Sequence, residues 1–347
     1  MRKEIETKVI STTYLKNPGK LKPQKSFNVI NSNGTPAREI GYHVTFRITE
    51  ACDLACDYCD WHGGTHYTYE DIIGSVDVLF EFLRKEGIKS VVFYYHGGEA
   101  SRHPKIIDIL KYIHDKGQQY NIIAYNELQT NLTLPLKKMK EILPHADFLN
   151  ITFHYLELKR RPYKLESFLK TFEYIKQENI KIANLDVMLE KINPSDVDEF
   201  RDIILSFIAY DNIRHCEMIY RFGYDFDFND ETTLLHYEFY KKYSKSEQRY
   251  EIDGEIYTTN DLFHRGADFT GWHCDAGKNH LYVNGDGTVY QCGIAMTNKL
   301  HGIDNGIFTK LLTDKLAIAK LSILRKSGTI CRWDYCGGDF YIPKEKK

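Results

Sequence analysis

Three cysteines stand close together at Cys52, Cys56 and Cys59, in the stretch C-D-L-A-C-D-Y-C. Spaced C-x3-C-x2-C on one short loop, three thiolates can bind three irons of a 4Fe–4S cluster and leave the fourth without a protein ligand. An iron left open in this way can take a small molecule, which suits catalysis rather than structure. Soft thiolates suit zinc as well. His62 follows Cys59 after two residues, so Cys52, Cys56, Cys59 and His62 also make a closed tetrahedral zinc set. The spacing alone leaves both metals open.

The remaining cysteines are Cys216, alone, and a group of Cys274, Cys292, Cys331 and Cys336. The first residues lack the apolar core of a signal peptide, and no run approaches the ~18 apolar residues of a membrane span. A cytoplasmic location without a membrane partner is therefore expected. In that reducing compartment cysteines read as metal ligands before disulfides. A net charge of −2 gives the whole molecule no attraction to nucleic acid. Residues 1–25 carry seven Lys/Arg against two Glu. That basic arm lacks the aromatic stacking motifs of an RNA binder, so no nucleic-acid partner is expected.

From residue 42 the chain alternates strand-like and helical patterns. Strands are expected over residues 42–48, 90–95, 121–125, 148–154, 181–189 and 215–220. Between them Ile72, Val76, Leu79 and Leu83 share a helical face before Gly87. Ile106, Leu110 and Ile113 do the same before Gly117, and Leu136, Met139 and Leu143 before Pro144. Ser195 reads as the N-cap of a further helix that buries Phe200, Ile203, Ile204 and Phe207. Six strands separated by helices imply a parallel α/β sheet, either doubly wound or an open barrel. In either case a site belongs at the C-terminal ends of the strands. The cysteine loop, directly after the first strand, falls there.

Three further stretches follow strands. H-G-G-E, from His96 to Glu99, places Gly97 and Gly98 where a backbone can approach a ligand closely; an ordinary strand-end turn is the plainer reading. Q-T-N-L contains Asn131, and N-I-T-F-H contains Thr152, in a strand where threonine commonly serves packing. Cys216 lies in the sixth expected strand, as a buried core thiol or a reactive one. Downstream, Cys274 and Cys292 read C-x12-G-x4-C, flanking a hairpin expected over residues 281–290 around N-G-D-G. Cys331 and Cys336 complete a set of four, which also makes a zinc ribbon.

The cysteine spacing, with the aromatic Tyr58 before Cys59, resembles the signature of the radical S-adenosylmethionine (SAM) superfamily. The resemblance implies a (β/α)6 partial TIM barrel, a SAM-binding 4Fe–4S cluster on Cys52, Cys56 and Cys59, and SAM on its open iron. It further implies that Gly97, Gly98 and Glu99 contact the amino group of SAM. Tyr58, Asn131 and Thr152 are cofactor-binding by the same resemblance, with Thr152 at the ribose. Ala100 stands where the family has proline, and Leu132 where its T-N-G element has glycine. Cys216 is similar to the lone cysteine by which some members return a hydrogen atom to a substrate radical. The last four cysteines resemble a SPASM or twitch domain, a small hairpin-containing unit with a second, auxiliary 4Fe–4S cluster; four ligands fit the shorter, single-cluster twitch form.

The expected organisation is a lead-in over residues 1–40, with a turn at Asn33-Gly34, then the core over 41–225. A linker with a helix over 231–243 occupies 226–270, and the twitch-like unit 271–340. A flavodoxin- or ferredoxin-type protein would supply electrons. The implied reaction is hydrogen abstraction by a 5′-deoxyadenosyl radical from a small polar metabolite such as a sugar, aminocyclitol or nucleoside, which is oxidised, epimerised or rearranged. Maturation of a ribosomally made peptide is the alternative, and a non-enzymatic metal-binding module a third.

Overall fold

The structure, a computed structural model, describes residues 21–30, 41–56, 59, 64–189, 192–208, 220–222, 249–258, 267–300, 307–332, 336, 342 and 344–346. Six parallel strands in sequence order make its centre. They are β2 (Tyr42–Thr49), β3 (Ser90–Gly97), β4 (Ile123–Thr130), β5 (Phe148–Phe153), β6 (Ile182–Leu189) and β7 (Tyr220–Phe222). The crossovers are α1 (Tyr69–Lys85), α2 (Ile106–Tyr120), α3 (Leu136–Ile142), α4 (Tyr155–Lys159), α5 (Pro162–Gln177) and α6 (Val197–Ile208). A doubly wound sheet reverses its order midway; this one does not. Crossovers of one hand then put every helix on one face and leave the other free to curve inward, as in an open barrel.

Strand β2 shows how the sequence makes two faces. Side chains alternate across a strand. Tyr42, Val44, Phe46 and Ile48 join the apolar core under the helices, while His43, Thr45, Arg47 and Thr49 point inward and are also buried. The same alternation gives β4 its inward Glu127 and Gln129, β5 its Asn150 and Thr152, and β6 its Asn184 and Asp186.

Beyond β2 the sheet continues with β11 (His280–Asn284), again parallel, then antiparallel β12 (Thr288–Tyr290) and β13 (Ile307–Lys310). The turn joining β11 to β12 is closed by Gly287 N–H donating to Asn284 C=O at 2.9 Å, with Gly287 at φ +78°. Helices α7 (Gly293–Leu300) and α8 (Ala317–Ser327) complete this part. A second sheet pairs β1 (Phe27–Ile30), β8 (Arg249–Ile252) and β9 (Glu255–Thr258). Asp253, in the turn between β8 and β9, accepts N–H bonds from Gln24, Lys25 and Ser26 at 2.7–2.9 Å. Residues read as lead-in and linker thus hold each other. A third sheet sets β10 (His273–Cys274) between β14 (Thr329–Ile330) and β15 (Lys344–Glu345). Among the described residues no helix is long and apolar enough to cross a membrane.

Several elements differ from expectation. α2 does not stop at Gly117 but runs to Tyr120 and ends on Asn121 at φ 54°. Gly117 serves packing instead: a Cβ there would lie 2.7 Å from the Ile122 carbonyl. β4 extends five residues past the expected end, to Thr130, and α6 follows a 3-10 turn at Pro194–Asp196. The sixth strand is described at Tyr220–Phe222, where residues 215–220 were expected. Cys216, the turn at Asn33-Gly34 and the helix over 231–243 lie outside the described residues.

Under the helices, Asp147 accepts from Asn126 N–H at 2.7 Å and meets His114 Nε2 at 2.9 Å. That hydrogen bond, opposed by partial burial, raises the pKa of His114 above its ordinary value. A folded pKa above the unfolded one stabilises fully below about pH 6.5 and is lost as pH rises through the raised value. The stability difference between the protein and His114→Gln, read from denaturant midpoints, is expected to be largest below about pH 6.5 and to shrink as pH rises through the raised pKa of His114.

Candidate metal centre

The cysteine loop enters from β2 and is laid directly on the end of β3. Gly98 N–H donates to Thr49 C=O at 3.1 Å, and Glu99 N–H to Ala51 C=O at 2.8 Å. Gly97 sits at φ +137°, and a Cβ on Gly97 or Gly98 would fall 2.3 Å from the carbonyl of Thr49 or Ala51. Both glycines are therefore required by the loop's own backbone. Glu99 turns inward: its carboxylate accepts from the Ser101 hydroxyl and from Asn131 N–H at 2.7 Å. Burial pushes its pKa up to about 7, against those two donors and the Thr130 hydroxyl. Glu99 thus fastens the ends of β3 and β4 beside the cysteines.

Asp53, next to Cys52, is the loop's anchor. Its carboxylate takes Lys164 Nζ at 2.8 Å, Thr133 Oγ1 at 2.8 Å and Asn131 Nδ2 at 3.3 Å, with Arg102 Nη1 at 3.4 Å. Its carbonyl accepts from Arg161 Nη1 at 2.7 Å and from Lys164. The side chains of Lys164 and Asp53 are only 7% and 12% exposed. Burial alone would raise the Asp53 carboxyl, but Lys164, Thr133 and Asn131 together hold it below its ordinary value. Glu157 adds a bond from Ala55 N–H at 3.3 Å and pairs with Arg161 at 2.9 Å. None of Asp53, Arg102, Thr133, Glu157, Arg161 and Lys164 stood out in the sequence. The available signal was Lys164 itself, a lysine four residues before Phe168 on the stripe that α5 buries.

Cys52 accepts from Leu54 N–H at 3.4 Å and lies 3.9 Å from Asn131 Nδ2. Burial, then the charge of Glu99, pushes its thiol up to about 12, against the Leu54 bond. Only a bound cation would draw that proton off near neutrality. Cys56 Sγ is 3.7 Å from His154 Nδ1, and Cys59 N–H donates to Cys56 C=O at 2.9 Å. Tyr58 and His62 lie outside the described residues. Among the described residues no three His, Cys, Asp or Glu side chains are gathered as the ligands of a single ion.

A radical SAM site also needs polar groups for SAM on the inner face. Thr152 and Asn184, 7% and 8% exposed, each keep a buried oxygen with no hydrogen-bond partner, Oγ1 and Oδ1. Asn184 Nδ2 donates to Asp186 Oδ1 at 2.9 Å, and Asp186 is the register partner of Thr152. Thr152 stands at the C-terminal end of β5, whereas Asn184 lies near the start of β6. The unpartnered Thr152 hydroxyl and the neighbouring Asp186 carboxylate can pair with a polar ligand there, and a ribose diol fits that need.

The other four cysteines surround the segment ending in β10. Cys331 N–H donates to Trp272 C=O, and Cys336 and Ala267 exchange backbone bonds. Cys331 and Cys336 pack with Phe269 and Trp272, and Cys274 and Cys292 with Ala276 and Ile342. A Thr329–Gln291 bond at 3.2 Å links the chain before Cys331 to that before Cys292.

Removing one partner of a buried ion pair leaves an uncompensated charge, at a cost of about 3–5 kcal/mol. Lys164→Met is expected to lose about that much stability in denaturant unfolding and to retain less iron after reconstitution. Adding Asp53→Asn to it is expected to recover part of the stability but not the iron, because the loop then has no anchor.

Residues 46–204 match the family model of the radical SAM superfamily. Over 113 residues, 33% of this chain and 39% of the relative, the sequence is 27% identical to the S-adenosylmethionine-dependent nucleotide dehydratase of Selenomonas ruminantium. Among solved structures, anSMEcpe with bound AdoMet aligns over 86% of this chain and 88% of its own, at 14% identity and a TM-score of 0.49. Streptococcus suis SuiB bound to precursor peptide SuiA aligns over 84% and 67%, at 13% and 0.49. BtrN in complex with AdoMet and 2-DOIA aligns over 82% and 85%, at 12% and 0.38. The matched segment runs from β2 into α6 and carries the three clustered cysteines, the glycine pair and the inner-face acceptors: residues 46–204 are a radical SAM domain.

Proposed function

We propose that the chain is a radical SAM enzyme acting on a small polar metabolite, with nucleosides and nucleotides among the candidates. The observation that carries this is the polarity of the inner face. His43, Thr45, Arg47, His96, Glu127, Gln129, Asn150 and Asp186 point inward, beside the apolar Val92, Phe148 and Met188 and the tyrosines Tyr94 and Tyr125. Such a surface suits a hydroxylated or heterocyclic compound better than the apolar side chains of a peptide. The likeness to a nucleotide dehydratase adds nucleotides to the class.

In this reading Cys52, Cys56 and Cys59 hold a 4Fe–4S cluster by three of its irons. When bound, the cluster supplies the electron that cleaves SAM and so the 5′-deoxyadenosyl radical. The chain's residues bind and orient: Asp53 and its cations fix the loop, Gly97 and Gly98 let β3 meet it, and Thr152 and Asp186 take the ribose hydroxyls, with Asn184 Nδ2 holding Asp186. Cys274, Cys292, Cys331 and Cys336 would hold an auxiliary 4Fe–4S cluster, which would offer electron transfer, and a flavodoxin or ferredoxin would be the donor to the first cluster. The backbone bonds of Cys331 and Cys336 to the segment leading into Cys274, and the packing of Cys292 with Cys274, support the auxiliary site. Cys216 is kept as a hydrogen-atom donor.

Iron, sulfide and zinc content of the anaerobically reconstituted protein tests the reading. About eight irons per chain, falling to about four in a Cys52/Cys56/Cys59→Ala variant, are expected, with dithionite-driven formation of 5′-deoxyadenosine in the unsubstituted protein alone. Four irons with one zinc would remove the auxiliary cluster but keep the enzyme; zinc at both sites and no iron would overturn the radical reading.

A further inference from the structure

The cations that anchor the cysteine loop outnumber the carboxylates they hold. Asp53 takes Arg102 and Lys164, and Glu157 takes Arg160 at 3.3 Å and Arg161 at 2.9 Å. Four cations thus share two carboxylates, and two positive charges are left over among the described residues of this group. The two signs are also unequally exposed. Glu157 is 4% and Asp53 12% exposed, whereas Arg160, Arg102 and Arg161 keep 57%, 38% and 32% of their side-chain surface. The acids are inside and the guanidinium groups outside, so a molecule approaching from solvent meets the positive side first.

This positive surface is continuous and has an edge. Arg102, Arg161 and Lys164 all reach Asp53, and Arg160 and Arg161 share Glu157, so the four side chains converge on one part of the loop. α5 starts at Pro162 beside them, and its N-terminal dipole adds charge of the same sign. Tyr163, in sequence between Arg161 and Lys164, is 66% exposed, an uncovered aromatic ring at the start of that helix. At Lys159 the sign changes: it pairs with Glu199 and lies 3.8 Å from Asp196, two carboxylates to one cation. Asp53 follows Cys52 in the chain, and Asn131 Nδ2 reaches both, at 3.3 and 3.9 Å. A single residue thus separates the basic surface from a cysteine of the cluster loop.

We propose that the surface of Arg102, Arg160, Arg161 and Tyr163 docks an acidic one-electron carrier of the flavodoxin type, whose flavin edge is exposed among carboxylates. The proposal rests on the reading of Cys52, Cys56 and Cys59 as the holders of a reducible cluster, and it adds where the electron enters. A carrier protein is too large to enter the barrel, so it has to act from the surface nearest the loop. The arginines meet its carboxylates, and Tyr163 meets the apolar flavin edge. One electron moves and no atom does: the flavin is oxidised and the cluster reduced. Electron-transfer encounters bury little area and are led by charge, which three exposed guanidinium groups and one ring supply.

The test uses the full, anaerobically reconstituted chain and a recombinant flavodoxin, with binding read by titration calorimetry and cluster reduction by loss of visible absorbance. Raising the salt from about 0.01 to about 0.1 M shortens the screening length from roughly 30 Å to roughly 10 Å, and the affinity is expected to fall with it. Arg160→Glu is expected to weaken binding about tenfold at the lower salt and to slow reduction by flavodoxin. Arg160→Gln should do the same to a smaller extent, and Arg160→Lys, which keeps the charge, should bind nearly as the parent does. Tyr163→Ala should weaken binding equally at both salt concentrations, because its contact is apolar. Lys85→Glu, in the last turn of α1 at the other end of the barrel, is the control for charge alone and should change nothing. Iron per chain and reduction by dithionite, which needs no docking surface, should match the parent in every variant; if Arg160→Glu loses iron, Arg160→Gln decides. Flavodoxin binding that is absent at low salt, that ignores both salt and Arg160, or that falls equally in Lys85→Glu would overturn the surface. A ferredoxin bound in place of flavodoxin would overturn the choice of partner. Failure of dithionite to drive 5′-deoxyadenosine formation in the unsubstituted chain would instead overturn the radical reading, and is measured without the carrier.

Discussion

A single carboxylate bears on whether the cysteine loop has a shape before any metal arrives. Asp53 is nearly buried and ionised, and three cations converge on it or its carbonyl from two parts of the chain, Arg102 after β3 and Arg161 and Lys164 at the start of α5. In a poorly solvated site such a charge is strongly held by its partners and strongly penalised without them. The clamp also crosses the barrel mouth. It ties the loop leaving β2 to the crossover after β5, two strands that share no hydrogen bonds. Ligand geometry is set from both sides.

The second constraint is that β2 serves two neighbours at once. An edge strand exposes unpaired backbone groups, and a six-stranded open barrel would leave β2 as such an edge. Here β11 covers it in register from His280–His43 to Asn284–Arg47. The turn after β11 is drawn in further: Gly285 N–H donates to Arg47 C=O at 2.8 Å, and Ser75 Oγ reaches the Gly285 carbonyl. The C-terminal hairpin is thereby part of the main sheet.

Much of this was legible in the sequence, and the reasons for the exceptions are physical. Apolar periodicity exposed the outer faces, so the buried stripe of α1 was found and β2 was placed to within one residue. It failed where the inner face is polar: Asn126, Glu127 and Gln129 made the second half of β4 look like loop, although Leu128 is fully buried between them. Gly117 read as a helix stop because glycine is the usual C-terminal signal, yet here it makes room for the Ile122 backbone. The pairings of β1 with β8 and of β11 with β2 join residues more than two hundred positions apart, and no local pattern encodes them. The cysteines were visible because their spacing is a local property; the clamp on Asp53 was not, because its partners come together only in the fold.

Leu132 shows how such a long-range arrangement can overrule a local preference. It stands where the T-N-G element of the superfamily carries glycine, and it adopts φ 51°, a conformation that costs an L-residue roughly 1–2 kcal/mol. The backbone on either side is already committed. Asn131 N–H is held by Glu99, Leu132 N–H by the Thr130 hydroxyl at 3.1 Å, and Thr133 N–H by Asn131 Oδ1 at 3.1 Å. Those bonds aim Asn131 and Thr133 together at Asp53, which requires the chain to turn left-handed between them. The Leu132 side chain is fully buried, and burial of a leucine is worth about 1.5–3 kcal/mol. That gain offsets the strain, so a residue ill suited to the turn is retained by the core while the turn itself is dictated by the anchor of the cysteine loop.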